Sequence, residues 1–174
     1  MSRSDDARGD AAADPSAGEP AAPDAPRTPR FEPLALGALG EVLGYHLAQA
    51  AVTTADTFEQ HVGTRFGLRK VEYSLLLLLL ANGAVSPKRL GQALALTAPH
   101  LSLLLDRLQA RELIRRERSL ADRRSQNIVL TAAGAQLACD GAIAAGPMEQ
   151  ALADRLSRAE RLMLIELLRK VSRR

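Results

Sequence analysis

A mainly α-helical fold with one small β-hairpin, α+β in class, is what this sequence predicts, and three observations carry the prediction. Leu and Ala supply most of an apolar fraction of 47%, aromatic residues make up only 3%, and β-branched residues are scarce. That composition favours helices over a β-sandwich. Apolar residues recur at three- and four-residue spacing through most of the chain after Leu34. One stretch, residues 113–130, breaks this period. It runs from a weak apolar/charged alternation through a polar segment to Ile128-Val129-Leu130, the order of strand, turn and strand.

The elements follow in order. Residues 1–30 are dense in Ala, Pro, Asp, Gly and Ser, with no large apolar residue after Met1. Such a stretch buries too little surface to offset its ordering entropy, so residues 1–32 are expected to be a disordered tail. Four Arg against six acids leave residues 1–30 at −2, whereas the whole chain carries +3. Over 33–67, Leu36, Leu39, Leu43, Leu47, Ala50, Thr54, Phe58, Val62 and Phe66 form one apolar stripe, which predicts a long helix ending near Gly67. A second helix is expected from about Val71 to Ala81, stopped by Asn82-Gly83. Ser86-Pro87 opens a third, with Ser as N-cap and Pro in the first turn. Thr97 caps a fourth, which runs to about Arg111. After the hairpin, Thr131 caps an Ala-rich helix that Gly146-Pro147 is expected to interrupt or kink. Ser157 and Glu160 form a capping box for the last helix, whose Leu162, Ile165, Leu168 and Val171 share one face.

Helix, turn, helix and then hairpin is the order of a winged helix-turn-helix, here spanning residues 68–131. The helices on either side, in 33–67 and 132–174, carry apolar stripes with nothing in that unit to cover them. The economical solution is that they pack on the same helices of a second copy, as flanking dimerisation helices.

The sequence at the hairpin is Asp122-Arg123-Arg124-Ser125-Gln126-Asn127-Ile128-Val129-Leu130-Thr131-Ala132-Ala133-Gly134. An Asp-x-Arg wing followed by a short strand, Leu-Thr and Gly resembles the signature of the MarR family of transcription regulators. Leu104-Leu105-Asp106-Arg107-Leu108 before Leu113-Ile114 is similar to that family's recognition helix and exit strand, and Leu156-Ser157, Glu160-Arg161 and Leu167-Leu168 to its last dimerisation helix. The likeness covers residues 34–172. It implies a homodimeric, ligand-responsive repressor bound to a pseudo-palindromic site on double-stranded DNA, acting in the cytoplasm. Two departures stand out. Glu112 occupies a position where this family commonly has Gly, which predicts local strain. Arg69-Lys70 stand where a Thr or Ser usually caps the second helix, which predicts a poor cap with positive charge at the wrong pole of the dipole.

Charge location fits this reading. Between Ser86 and Arg124 there are nine basic residues (Lys88, Arg89, Arg107, Arg111, Arg115, Arg116, Arg118, Arg123 and Arg124) against Asp106, Glu112, Glu117 and Asp122. A local excess of this kind is what phosphate neutralisation requires. On the fourth helix Leu101, Leu104, Leu105 and Leu108 face the core, leaving Thr97, Ala98, His100, Ser102 and Leu103 on the N-terminal turn and outer face, where base edges are read. Ser86, Lys88, Arg107 and Arg118 join them as candidate DNA contacts. At the hairpin tip an Arg such as Arg123 or Arg124 is suited to a narrow minor groove, and Asp122 is suited to orienting it through a salt bridge. By resemblance, a small aromatic or other anionic effector is expected between the DNA-binding lobe and the dimerisation helices, with Tyr45, His46, Gln49, His61 and Arg65 as candidate lining residues.

Catalysis is not indicated. The sequence has no Gly-rich phosphate loop, no nucleophile elbow and no closely spaced metal-ligand set, so no cofactor or metal is expected. The longest Leu run, residues 75–80, is far short of the ~20 apolar residues a bilayer span needs and reads as a buried helix. The single cysteine, Cys139, excludes an intrachain disulfide and is expected to be a buried or half-buried spacer. Two alternatives are a redox-sensing regulator acting through Cys139 and a winged-helix protein-interaction module that does not bind DNA.

Overall fold

The first apolar stripe is carried by less helix than its period implies. A computed structural model of the protein describes residues 34–118 and 126–172; the expected tail over 1–32 and the hairpin tip with Asp122, Arg123 and Arg124 lie outside the described residues. A 3-10 turn, Gly37–Glu41, precedes α1 (Leu43–Phe58), so Leu36 and Leu39 are not on the long helix. Beyond Phe58 the chain stays helical but widens into a π turn, Glu59–Gly63, before α2 (Thr64–Phe66). Gly67, at φ +59°, closes this run in the left-handed region that Gly enters at little cost.

The helix α3 (Lys70–Asn82) buries Leu75, Leu76 and Leu79, half-buries Leu77 and Leu78 and exposes Leu80, as one face of a helix should. Its N-terminus corrects the expected poor cap. Arg69 has no side-chain acceptor to offer, but the Glu72 carboxylate reaches back and accepts the Arg69 backbone N–H at 2.9 Å. The negative charge in the first turn also suits the dipole. Next come α4 (Pro87–Ala93), with the Ser86 hydroxyl accepting from the Arg89 N–H, and α5 (Ala98–Ala110). The hairpin is β1 (Ile114–Arg118) against β2 (Gln126–Leu130), antiparallel, with Ile114 opposite Leu130 and Arg118 opposite Gln126. Val85 adds an isolated bridge to Ile128, an edge the sequence pattern did not disclose.

Leucines of α3, α4 and α5 close on one another with Leu113, Ile114 and Ile128 to make the main core. Burying one such side chain is worth ~1.5–3 kcal/mol. Two further helices follow the hairpin, α6 (Ala132–Ala153) and α7 (Arg158–Ser172). The helix α6 runs through Gly146-Pro147, so the interruption, one of the two expected outcomes, does not occur. Proline removes one backbone hydrogen bond there, but Ala145 and Met148 on either side are buried against Phe58 and Val62, and this packing holds the helix in place. Cys139 is exposed, a second correction: Ala138 beside it takes the buried position. On α7 the Ser157–Glu160 box is reciprocal, with Ser157 N–H donating to Glu160 at 2.7 Å and Glu160 N–H donating to the Ser157 hydroxyl at 3.3 Å. No residue of α7 is buried within the protomer.

Candidate nucleic-acid interface

A helix can read DNA only if it is held by one face and bare on the other. In α5, Leu101, Leu104, Leu105 and Leu108 are all buried, and Thr97, Ala98, His100, Ser102 and Leu103 are exposed. Leu103 is the outlier, an apolar side chain 63% exposed on the outer face. Thr97 stands at the N-cap with extended backbone, yet its hydroxyl makes no capping bond, so the expected cap is conformational only and the hydroxyl faces outward. Lys88 and Arg89 project from the first turn of α4, and Ser86 is engaged in capping it. Arg118 is exposed where β1 leaves the described residues. These elements bring Ser86, Lys88, Thr97, Ala98, His100 and Ser102 onto the helix-turn-helix and set Arg118 at the outer end of β1, opposite Gln126.

Two arginines of the basic set point elsewhere. Arg107 donates to the Glu72 carboxylate at 3.3 Å, and Glu72 is only 2% exposed. Arg111 lies 3.7 Å from the other oxygen of Glu72 and donates to the carbonyls of Gly67 and Phe66 at 3.0 and 3.5 Å. The sequence reading grouped Arg107 with the DNA contacts; the structure turns it towards the α2–α3 elbow. Arg116 is braced by Asp106 at 2.6 Å, which fixes the strand to the recognition helix.

The hairpin is anchored at its base by the Leu-Thr-x-x-Gly run. The Thr131 hydroxyl donates to the Glu112 carbonyl at 2.6 Å and accepts the Gly134 N–H at 3.0 Å, which caps α6 as expected. Glu112 is left-handed at φ +56°, the strain its missing glycine implied; Ala95 shares that state at φ +53°, with no warning in the sequence. A side chain at Gly134 would collide with the Leu113 carbonyl oxygen, so the strand-to-helix crossing needs a bare backbone.

The effector candidates fall into two groups on α1 and beyond. Tyr45, His46 and Gln49 share the first turns, where the rings of Tyr45 and His46 meet edge to face and His46 Nε2 donates to the Gly40 carbonyl at 2.8 Å. His61 and Arg65 are on the π turn and α2. His61 Nδ1 donates to the Thr57 carbonyl at 2.9 Å, and the Arg65 guanidinium lies 5.2 Å from the Phe66 ring centre. Even the nearest members, Gln49 and His61, are twelve residues apart, roughly 18 Å at 1.5 Å rise, so one protomer does not bring the two groups into a single small pocket. A cleft of about 530 Å³ opens instead beside the elbow, lined by Glu59, Thr64, Arg69, Glu72, Arg107 and Arg111 among others. Glu72 has one signal in the sequence, a carboxylate three residues after the N-cap, and the Arg at the cap obscures it. Among the described residues no group of three or more His, Cys, Asp or Glu side chains is placed to hold a metal ion, and no helix is long and apolar enough to cross a membrane.

Helix-turn-helix, anchored wing and bare outer face together define a winged helix-turn-helix transcription regulator. The profile of the MarR family matches residues 66–125. The chain is similar to the transcriptional repressor CouR, solved on a 23-mer DNA duplex, with 30% identity and a TM-score of 0.74 over 82% of this chain and all of that one. It is also similar to BpsR of Bordetella bronchiseptica, whose DNA binding is regulated by 6-hydroxynicotinic acid, at 28% identity and a TM-score of 0.66 over 75% of this chain and 98% of that one. A protein assigned to transcriptional regulation of the hcr operon in Thauera aromatica is 28% identical over 137 residues, 79% of this chain and 82% of that protein. The chain belongs to the MarR family, and so to transcription regulators and not to enzymes.

Proposed function

We propose that this chain acts as a cytoplasmic homodimeric repressor that binds a pseudo-palindromic DNA site and is released by a small aromatic or other anionic effector. The observation that carries the reading is the division of α5 into a fully buried leucine face and a bare face bearing Thr97, Ala98, His100 and Ser102, flanked by Lys88, Arg89 and Arg118. The N-terminal turn of a recognition helix meets base edges, and the surrounding cations neutralise phosphates. CouR on duplex DNA and BpsR under 6-hydroxynicotinic acid support the DNA and effector parts by similarity. Tyr45, His46, Gln49, His61 and Arg65 are the candidates for effector contact. An effector must weaken DNA binding by its differential affinity, and DNA must weaken effector binding equally.

Arg124 at the wing provides the test. Its loss is expected to cost about 1–3 kcal/mol per half-site, comparable to one good base-contacting pair, and therefore roughly a hundredfold or more in affinity across two half-sites. Selection of duplexes from a random pool identifies the site, and fluorescence anisotropy at two salt concentrations then compares Arg124→Ala with the parent. The expected result is weaker binding, a shallower salt slope and an unchanged melting temperature. Unchanged affinity and slope would remove the wing from DNA and favour a protein-interaction module.

A further inference from the structure

Glu72 is the one charged residue among the buried residues described, and it is engaged on three sides. Its oxygens accept the Arg69 backbone N–H at 2.9 Å and the Arg107 guanidinium at 3.3 Å, and lie 3.7 Å from that of Arg111. Arg111 extends the link to the carbonyls of Gly67 and Phe66, where the helical run from α1 ends. The C-terminal turns of α5 are thus tied by charge to the elbow between the long helix and α3. Leucine packing on the opposite face fixes α5 into the core, but apolar contacts are non-directional and resist sliding and rolling weakly. The charged hydrogen bond of Arg107 and the ion pair of Arg111, one turn apart, resist both.

We infer that Glu72, Arg107 and Arg111 form a positioning strut that sets the angle of α5 against the dimerisation helices and so decides which half-site spacing the dimer accepts. The inference rests on the dimeric DNA-binding reading above. In a two-fold dimer the distance between recognition helices is a geometric property of the protein, and half-sites must match it. One inserted base pair moves a half-site by ~3.4 Å and turns it about the duplex axis by roughly a tenth of a turn. A stiff strut rejects that site, and a loosened one lets α5 follow it. Capping α3 is the simpler role for Glu72, but a cap affects stability and not spacing.

Glu72→Gln separates the two roles, because the amide oxygen can still accept the Arg69 N–H while the charge that holds Arg107 and Arg111 is gone. Full-length parent and variant are measured against the selected duplex and against duplexes with one base pair inserted or deleted between the half-sites. The parent is expected to discriminate by tenfold or more, and Glu72→Gln by threefold or less, with binding to the original site reduced by no more than a few fold. Arg107→Met, which leaves the cap intact, is expected to behave likewise and serves if Glu72→Gln does not fold. Spacing discrimination equal to the parent's in a folded variant overturns the strut. A parent that selects no paired half-sites overturns the underlying DNA-binding reading instead.

Discussion

Glu112 and Gly134 are both bonded to the Thr131 hydroxyl at the base of the wing, and each answers a different backbone constraint there. Glu112 holds a left-handed backbone that costs a side-chain-bearing residue ~1–2 kcal/mol, and the Thr131 hydroxyl on its carbonyl helps keep it there. Gly134 accepts a close approach to the Leu113 carbonyl that no side chain could share. Glu112→Gly should therefore raise the melting temperature by a few degrees, and Gly134→Ala should lower stability by about 2–3 kcal/mol through overpacking. Denaturant midpoints of the two variants measured together check both signs. The strain at Glu112 was legible because a glycine is expected there; that at Ala95 was not, since nothing local distinguishes it from a helical alanine. Glu72 escaped notice for a related reason. Its two arginine partners lie 35 and more residues away, where a pattern along the chain shows nothing, and only the cap to Arg69 three residues back is local.

At the scale of elements, local signals divide: Thr97 makes no capping bond and Leu36 and Leu39 of the first stripe lie outside α1, whereas other caps form as expected. Ser86, Thr131 and the Ser157–Glu160 box all act as their sequence positions imply. Pro147 does not end α6, because Ala145 and Met148 pack beside it. The box on α7 has a measurable signature. The Ser157 hydroxyl and backbone N–H hold the Glu160 carboxyl below its ordinary range. A lowered carboxyl pKa contributes stability that is present above the unfolded-state value and is lost as pH falls through the folded-state value. Ser157→Ala should cost about 1 kcal/mol, move the Glu160 titration back up, and flatten the acid limb of α7 unfolding. Side-chain carbon NMR of Glu160 against pH would show whether the titration moves.

For the whole molecule the decisive fact is the amount of apolar surface the protomer leaves uncovered. Leu162, Met163, Leu164, Ile165, Leu167, Leu168 and Val171 are between 36% and 57% exposed, and Leu39, Val42, Leu43 and Val52 add to them from the other end of the chain. A run of exposed apolar side chains such as that on α7 marks an interface, and the dimer proposed above would cover it. Leu164→Glu or Leu168→Glu should turn a particle of twice 18.7 kDa into one of single mass, or prevent folding, because an unpaired charge in that seam is costly. Light scattering at micromolar concentration distinguishes a dimer from a monomer; a dimer that tolerates either charge would place the seam elsewhere. The π turn at Glu59–Gly63 adds a consequence for lineage and not only for shape. A π turn holds one residue more than the α-helical path, and one residue corresponds to about 100° of helical rotation. Deleting Gln60 would remove that extra residue and leave α1 in phase, whereas a single-codon deletion at Thr54, inside α1, would rotate the helix upstream by about that angle while leaving the winged helix in register. The expected product is a folded protomer whose Leu43 and Val52 face away from the old partner. It would no longer pair with the parent protein, so one deleted triplet could separate two duplicated regulators into independently assembling ones.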